Sequence, residues 1–534
     1  MTRALANPLS LIEERRQICQ SRLDARKSAA ERNRLGQFAT PNELAIEMAQ
    51  CVAALRTNGS EPVRFADPSL GSGSFYSAIL SVFGPESVVS AVGVEIDDDF
   101  VELARDLWGD SGLEVVHGDF SRVLADESLS CSPNVMLANP PYVRHHHLSR
   151  DDKERLARLV ARLTGVRVGG LSGLYVYFLL LATAWLKDDG VAAWLVPSEF
   201  MDVNYGASLK EFLTTRVTLM RVHRFAAQDV QFDDALVSSV VLIFRKALPP
   251  GGHAVEFTLG TALTDRSVAE SVALDNLSSA RKWSLYPRHA TNDRHASATS
   301  DGPFLGDFFR VQRGIATGFN KFFVVERAEA ARLGLPEQFL RPILPSPRKL
   351  KDTVVDADVD GYPLTNPQLC LIDCELAESR VESDFPKLWK YLATAKALGV
   401  RDRYLVAKRN PWYRQEQRAC APFLCTYMGR GSGAKPPFRF ILNRSAAIGT
   451  NLYLMLYPRG DLATMLRDHP ERVTIVHRLL VEVTGHELRG EGRVYGGGLN
   501  KIEPGELVRV SAGSFVLQWP ELRLQRERQT VLFD

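Results

Sequence analysis

The chain has 534 residues, of which 45% are hydrophobic and 24% are charged, so it is long enough for two or three domains with ordinary cores. Charged residues appear near its start before any long apolar run, so we expect no secretory signal peptide. The most apolar stretch, from Leu174 to Leu186, is too short to span a bilayer and predicts a buried helix. Neither the seven scattered cysteines nor the run His145–His147 has the spacing of metal ligands, so we expect no metal and no membrane role.

The net charge of +2 hides a difference between the two halves of the chain. Residues 1–250 carry 26 basic and 31 acidic side chains, whereas residues 401–450 carry 10 basic and 2 acidic ones, interleaved with aromatic residues. Basic side chains beside aromatic rings suit phosphate neutralisation and base stacking. The pattern favours a nucleic-acid surface in the C-terminal half, although charge alone would also describe a solvated basic face.

The predicted elements begin with a polar amphipathic helix over residues 8–34. Thr40 as N-cap, Pro41 at the first helical position and Glu43 three residues after the cap form a capping box, which predicts a second helix. Short apolar runs then alternate with amphipathic segments. This order predicts a doubly wound, mostly parallel α/β sheet whose last two strands form an antiparallel hairpin.

Two polar stretches divide the rest of the chain. The segment ALPPGGH ends the α/β block, and RHATNDRHASATSDG suggests an exposed connection before Pro303. Beyond it the alternation of helices and strands fades into mixed apolar patches and turns. We therefore expect an α/β domain over 1–248 with an N-terminal helical extension over 1–34, a connecting segment over 249–302, and a mixed α/β domain over 303–534.

A glycine turn follows the first predicted strand of the α/β block. Asp67 closes that strand, and Gly71 and Gly73 let the backbone approach a ligand before the next helix begins. The third glycine of the dinucleotide fingerprint is missing, because Tyr76 occupies its place. The turn predicts a nucleotide-like ligand but does not identify which one.

The next two strand ends also carry acidic residues. Glu95 is placed to accept hydrogen bonds from two ribose hydroxyls. Asp119 is placed to accept a hydrogen bond from an adenine amino group, and Phe120 is placed to stack on the adenine ring. In open α/β sheets, ligands bind beyond the carboxyl ends of the strands. The three acids together predict an adenosine-bearing cofactor, either a nicotinamide dinucleotide or S-adenosylmethionine.

The fourth strand end, Asn139-Pro140-Pro141-Tyr142, distinguishes the two cofactors. Hydride transfer needs a proton donor or acceptor there, and this segment offers none. The amide oxygen of Asn139 and the carbonyl of Pro140 instead suit the two hydrogens of an exocyclic NH2 group. Holding those hydrogens out of the ring plane frees the nitrogen lone pair for attack on a sulfonium methyl, with no covalent enzyme intermediate.

The segments GQFATP, DPSLGSGSF, VGVEID, HGDF and NPPY resemble, in this order, the motifs of the gamma-class DNA adenine-N6 methyltransferases of restriction systems. The resemblance implies a class I S-adenosylmethionine-dependent methyltransferase fold followed by a DNA target-recognition domain. It also implies double-stranded DNA as substrate, a cognate restriction endonuclease as functional partner and a prokaryotic cytoplasm. The segment RVYGGGLNKIEPGEL is similar to the closing motif of longer members, so we expect the chain to reach its natural end.

The resemblance assigns a role to each motif residue. Cofactor-binding residues implied by the family are Thr40, Pro41, Asp67, Gly71, Gly73, Glu95, Asp119 and Phe120. The implied catalytic set is Asn139, Pro140, Pro141 and Tyr142, with Tyr142 and Phe232 stacking on a flipped target base. In the basic block we expect DNA contacts from Arg409, Trp412, Tyr413, Arg430, Lys435 and Arg439.

Three other functions remain open from the sequence. Cytosine N4 poses the same chemical problem as adenine N6, and the side-chain amide of a protein glutamine is also a planar NH2 group. A non-catalytic DNA-recognition subunit that kept the fold is the third alternative. Methylation at cytosine C5 is not expected, because none of the seven cysteines follows a proline as the nucleophile usually does.

Overall fold

The structure is a computed structural model that describes residues 8–522 except 29–30, 33–34, 57–58, 126–128, 130–131, 226–237, 265, 267, 288–301, 432–435, 484–487, 489–490 and 496–498. The chain divides into two compact units. The N-terminal unit comprises Met1–Arg294 with Tyr495–Gly497, and the C-terminal unit comprises His295–Val494 with Gly498–Asp534.

The N-terminal unit is built on a nine-stranded sheet in the order β3-β2-β1-β4-β5-β7-β6-β8-β9. Its strands are β1 (Val63–Asp67), β2 (Val88–Glu95), β3 (Leu113–His117), β4 (Val135–Ala138), β5 (Val191–Pro197), β6 (Thr218–Phe225), β7 (Ser239–Arg245), β8 (Ala254–Gly260) and β9 (Val268–Ala273). Strands β1 to β5 pair in parallel, and β7 runs antiparallel to both β5 and β6. The predicted doubly wound sheet with an antiparallel hairpin is therefore confirmed.

Helices cover both faces of this sheet and enclose two apolar clusters. They are α1 (Pro8–Arg26), α2 (Asn42–Leu55), α3 (Ser74–Phe83), α4 (Asp98–Trp108), α5 (Phe120–Ala125), α6 (Arg150–Thr164), α7 (Leu174–Trp185), α8 (Ala207–Thr215) and α9 (Leu274–Ser279). Residues 175–183 of α7 are all buried, so the most apolar stretch of the sequence is a core helix as predicted. No helix in the described ranges is long and apolar enough to cross a membrane.

Two details of this unit differ from the sequence predictions. Helix α2 begins at Asn42, and the carbonyl of Pro41 accepts its first hydrogen bond, from the Ala45 N–H, so the predicted capping box at Thr40 is wrong. The segment 249–302 is more than a connection, because β8 pairs in parallel with β6 and β9 pairs with β8. Both strands extend the sheet at an edge that the hairpin would otherwise leave unpaired.

The C-terminal unit is a mixed α/β fold around two further apolar clusters. A five-stranded sheet has the order β10-β18-β15-β17-β13, and two three-stranded sheets have the orders β11-β14-β12 and β16-β20-β19. The strands are β10 (Phe309–Arg313), β11 (Val324–Glu326), β12 (Leu340–Ile343), β13 (Val354–Val355), β14 (Leu369–Ile372), β15 (Phe423–Thr426), β16 (Met428–Arg430), β17 (Phe440–Asn443), β18 (Tyr453–Pro458), β19 (Arg493–Tyr495) and β20 (Leu499–Lys501).

Helices of the C-terminal unit are mostly short and lie between these strands. They are α10 (Leu305–Phe308), α11 (Asn320–Phe323), α12 (Arg327–Leu333), α13 (Glu378–Asp384), α14 (Pro386–Ala393), α15 (Tyr404–Ala407), α16 (Gly460–Asp468), α17 (Val473–Glu482), α18 (Pro504–Leu507) and α19 (Gly513–Gln518). The mixed architecture agrees with the predicted second α/β fold.

Candidate active site

A cavity of about 610 Å³ lies at the carboxyl ends of β1 to β4 in the N-terminal unit. The strand order reverses between β1 and β4, which is where open α/β sheets bind their ligands. Of the predicted site residues, those that line the cavity are Thr40, Gly71, Glu95, Asp119, Phe120, Asn139 and Pro141. Those that do not line it are Pro41, Asp67, Gly73, Pro140 and Tyr142.

Glu95 joins the end of β2 to the glycine turn. One carboxylate oxygen accepts the N–H of Gly71 at 2.8 Å, and the other accepts the N–H groups of Ile96 and Asp97 at 2.9 and 2.8 Å. Burial raises the pKa of Glu95 even though these three bonds act in the opposite direction. Because each carboxylate oxygen has more than one acceptor position, the side chain can still receive a ribose hydroxyl.

Asp67 and Gly73 support the turn from outside the cavity. Asp67 is fully buried, with one oxygen accepting the Ser69 N–H at 2.9 Å and the other without a partner among the described residues. Burial raises the pKa of Asp67 to about 7, and the nearby charge of Glu95 adds to the shift. A Cβ at Gly73, where φ is +84°, would lie 2.4 Å from the indole nitrogen of Trp108, so this position needs glycine.

Asp119 and Phe120 follow β3 at the opposite wall of the cavity. One oxygen of Asp119 accepts the backbone N–H and the hydroxyl of Ser121 at 2.9 and 2.7 Å, and the other faces Arg155 at 3.4 Å. Phe120 is almost fully buried, and its ring centroid lies 5.4 Å from that of Phe178. The predicted contacts of this pair with an adenine ring remain predictions.

The amide of Asn139 is held in one orientation at the end of β4. Its nitrogen donates to the carbonyl of Phe38 at 2.9 Å and to the hydroxyl oxygen of Thr40 at 3.1 Å. Because the Phe38 carbonyl can only accept, the amide nitrogen must face it, and the amide oxygen lies on the other side. Within the described part of the chain, no protein donor is bonded to this oxygen or to the carbonyl of Pro140.

Tyr142 anchors the motif and is itself buried. Its side chain is 7% exposed, its hydroxyl donates to the carbonyl of Leu195 at 3.2 Å, and its ring lies 5.5 Å from that of Phe38. Its N–H donates to the carbonyl of Gly36 at 3.1 Å. Burial raises the pKa of Tyr142, so the phenol stays protonated. The second predicted stacking residue, Phe232, lies outside the described residues.

Two family models match separate ranges of the chain. Residues 134–231 match the model of the Eco57I restriction-modification methylase, and residues 281–525 match that of the C-terminal domain of Type II methyltransferase M.Eco57I. Over both ranges the chain is similar to Type II restriction-modification methyltransferases. These matches support methyltransferase activity and confirm the predicted cofactor, S-adenosylmethionine, whereas the adenine specificity stays a prediction.

Individual relatives of this methyltransferase span most of its length. Type II methyltransferase M.XamI of Xanthomonas campestris pv. amaranthicola is 29% identical over 487 residues, which cover 89% of this chain and 85% of the relative. Type II methyltransferase M.AccI of Acinetobacter calcoaceticus is 24% identical over 498 residues, covering 90% and 85%. The Type IIL restriction-modification enzyme MmeI, solved in complex with DNA, has the same fold with a TM-score of 0.55, at 11% identity over 92% of this chain and 69% of that one.

Two aromatic residues of the methyltransferase that we predicted to contact DNA are instead part of its C-terminal core. Trp412 is 7% exposed and packs against Phe322, and Tyr413 is fully buried with its hydroxyl donating to the carbonyl of Leu376. These predictions are wrong, because both rings contact protein on all sides. Composition shows that aromatic residues lie near basic ones but not which way their rings point.

Two of the predicted arginines are half-buried and bonded to protein carbonyls. Arg409 donates to the carbonyls of Ala316 and Thr317, and Arg439 donates to three carbonyls of residues 347–351. These bonds hold each guanidinium group against backbone carbonyls, and the predicted DNA contacts of both residues remain predictions. Arg430 is exposed on β16 and stays a prediction, and Lys435 lies outside the described residues.

Sequence reasoning missed residues on both sides of the cofactor cavity. Gly36, where φ is +68°, lies against the catalytic segment, and a Cβ there would be 2.3 Å from the Tyr142 nitrogen. Arg16, Gln20 and Asp24 of α1 also line the cavity, and their spacing of four residues, which places them on one helix face, was the available signal. Among the described residues no group of three His, Cys, Asp or Glu side chains could hold a metal ion.

Proposed function

We propose that this methyltransferase modifies the N6 amino group of adenine within a specific sequence of double-stranded DNA. The modification would protect that sequence from a cognate restriction endonuclease in the bacterial cytoplasm. The observation that carries the proposal is the orientation of the Asn139 amide, whose nitrogen is occupied by two protein acceptors while its oxygen is left for a ligand. A side chain fixed in this way accepts a hydrogen bond without reorganising during the reaction.

Asn139 and Pro140 suit an amino group rather than a hydroxyl or a carbon nucleophile. An exocyclic NH2 group presents two hydrogens, and the amide oxygen and the proline carbonyl are two acceptors from adjacent residues. S-adenosylmethionine supplies a methyl group on a positively charged sulfur. When the amino nitrogen takes this methyl group it carries one proton too many, and neither acceptor is basic enough to keep that proton. We infer that it leaves to water.

The cofactor fits the acceptors and the apolar surface of the cavity. Glu95 and Asp119 place carboxylates at the ends of two neighbouring parallel strands, where ribose hydroxyls and an adenine amino group would meet them. Phe120 adds an aromatic edge to the same wall. Gly71 brings a backbone segment to the cavity without a side chain, which leaves space for the methionine portion.

Tyr142 is proposed to hold the catalytic segment in place and to stack on the target base. Methylation within a duplex requires the base to leave the helix, at a cost of roughly a few kcal/mol. Stacking of the base on an aromatic ring offsets about 1 to 3 kcal/mol of this cost. Because the ring is 7% exposed against Phe38, a base that stacks on it must displace a neighbouring side chain.

Modification-sensitive sequencing of DNA from cells that express the chain tests this function. We expect N6-methyladenine in one sequence context, its loss with Asn139→Ala, and no change with the exposed control Asn204→Ala. The purified Asn139→Ala variant is expected to retain cofactor binding, since the cavity walls are otherwise intact. N4-methylcytosine would favour the second DNA target. Labelled protein with unmodified DNA would favour glutamine methylation, and no label on either would favour a non-catalytic subunit.

A further inference from the structure

Helix α1 contributes a buried arginine to the cofactor cavity. The side chain of Arg16 is 4% exposed, lies among the residues that line the cavity, and donates to the hydroxyl oxygen of Ser72 in the glycine turn at 2.8 Å. Neither family match, over 134–231 and 281–525, includes this helix. The sequence patterns assign this helix no role beyond that of an N-terminal extension.

Several contacts fix α1 over the glycine turn and the end of β2. Leu9 and Ile12 pack against the apolar cluster that contains α3, and Lys27 forms an ion pair with Asp97 after β2. These contacts hold the inner face of α1, with Arg16, against the cavity.

Glu13 aligns the guanidinium of Arg16. Two of its nitrogens donate to the Glu13 carboxylate at 2.8 and 2.6 Å, and Gln17 donates to the same carboxylate at 2.9 Å. Burial acts to raise the pKa of Glu13, but the hydrogen bonds and charge of Arg16, together with hydrogen bonds from Ser77 and Gln17, leave that pKa below its ordinary value. A guanidinium has five N–H groups, so Arg16 retains two donors after its bonds to Glu13 and Ser72.

We propose that Arg16 binds the α-carboxylate of S-adenosylmethionine. Besides Arg16, the cavity lining in the described residues includes two side chains that can carry positive charge, Arg155 and His147. Arg155 faces Asp119 after β3, where the adenine ring is assigned, whereas Arg16 contacts the glycine turn, where the methionine portion is assigned. A guanidinium is the group that best matches a carboxylate, through paired and charge-assisted hydrogen bonds.

This proposal rests on the cofactor cavity and not on the choice of target base. Its test measures the binding of two ligands to the purified full-length protein by titration calorimetry, in the absence of DNA. S-adenosylhomocysteine carries the α-carboxylate, and 5′-methylthioadenosine lacks the whole amino-acid portion. A residue that binds the carboxylate affects only the first ligand, whereas a residue that merely shapes the glycine turn affects both.

For Arg16→Gln we expect the affinity for S-adenosylhomocysteine to fall about 10- to 100-fold while that for 5′-methylthioadenosine stays within about twofold. The matched control is Arg15→Gln, because Arg15 is a neighbouring arginine whose side chain is 58% exposed and lies outside the cavity lining. That variant should bind both ligands as the wild type does. Equal weakening of both ligands by Arg16→Gln, or no weakening of either, would overturn the proposal.

Arg16→Lys provides a second variant if Arg16→Gln does not unfold cooperatively. It keeps the charge but loses the planar pair of donors, so we expect a smaller, selective loss of affinity for S-adenosylhomocysteine. Parallel changes for the two ligands would again contradict the proposal. Failure of the wild-type protein to bind either ligand would refute the cofactor site itself, whereas an unexpected methylated base would contradict only the proposed function.

Discussion

Replacement of Thr40 by valine tests whether the orientation of the Asn139 amide matters for catalysis. Thr40 is buried, and its hydroxyl oxygen accepts a hydrogen bond from the Asn139 nitrogen at 3.1 Å. Valine has nearly the same shape but no acceptor, so one amide N–H loses its partner while the bond to Phe38 at 2.9 Å remains. Leaving one buried donor unsatisfied costs about 1 to 3 kcal/mol.

This cost affects the reaction because the N–H that loses its partner belongs to the catalytic amide of Asn139. If the full amount appears in the transition state, the rate constant at saturating cofactor and DNA falls by about 5- to 150-fold. We expect a single-turnover assay with radiolabelled S-adenosylmethionine to show a fall in this range, together with a decrease of a few degrees at most in unfolding temperature.

Thr183→Val is the matched control for Thr40→Val. Thr183 is also buried in the N-terminal unit, but its hydroxyl donates to the carbonyl of Leu179 within α7 at 2.7 Å, away from the cavity lining. The control should change stability without changing the rate constant. A Thr40→Val enzyme that transfers methyl groups as fast as the Thr183→Val enzyme would refute the role given to the Asn139 orientation.

Three further outcomes follow from the site and from two arginines of the C-terminal unit. Gly36→Ala places a Cβ 2.3 Å from the Tyr142 nitrogen at a φ of +68°. We expect the rate of methyl transfer to fall at least tenfold, while binding of S-adenosylhomocysteine is largely kept. An unchanged rate would contradict the close packing of Gly36 against Tyr142. Burial raises the pKa of Asp67 to about 7 from an ordinary 3.8, so in the cofactor-free protein the ionisation of Asp67 lowers the stability of the fold as pH rises between these values. Asp67→Asn should therefore flatten the decrease in unfolding temperature over this pH interval. Parallel curves of unfolding temperature against pH for the two proteins would contradict the shift. Because Arg409 bonds two backbone carbonyls, Arg409→Ala should lower the unfolding temperature and leave the salt dependence of DNA affinity unchanged, whereas Arg430→Ala should do the reverse. A change in salt dependence with Arg409→Ala would identify it as a DNA contact.

The catalytic fold was predictable because the alternation of apolar strands and amphipathic helices repeats along the sequence. Parallel strands bring their carboxyl ends to one edge, so Glu95, Asp119 and Asn139 could be expected to meet although they are far apart in the chain. Asp67 fits the same rule, but it is fully buried beside the cavity and does not line it. The position of a residue at a strand end therefore predicted its neighbourhood and not the direction of its side chain.

Thr40 shows how a local rule fails when a tertiary contact competes with it. Its spacing from Glu43 fits a helix cap, but its hydroxyl oxygen accepts from Asn139, 99 residues away, and the helix begins without it. Trp412 and Tyr413 show a second limit. Sequence alone does not distinguish an aromatic residue that stacks on a base from one that fills a core, because both lie near basic residues.

The identity of the methylated nucleoside tests the central claim most directly. Purified protein is incubated with S-adenosylmethionine carrying an isotopically labelled methyl group and with unmethylated genomic DNA, which is then digested to nucleosides and analysed by mass spectrometry. We predict label in N6-methyldeoxyadenosine with the wild-type chain and none with Asn139→Ala. Label found only in N4-methyldeoxycytidine, or equal amounts of labelled N6-methyldeoxyadenosine with both proteins, would contradict the account.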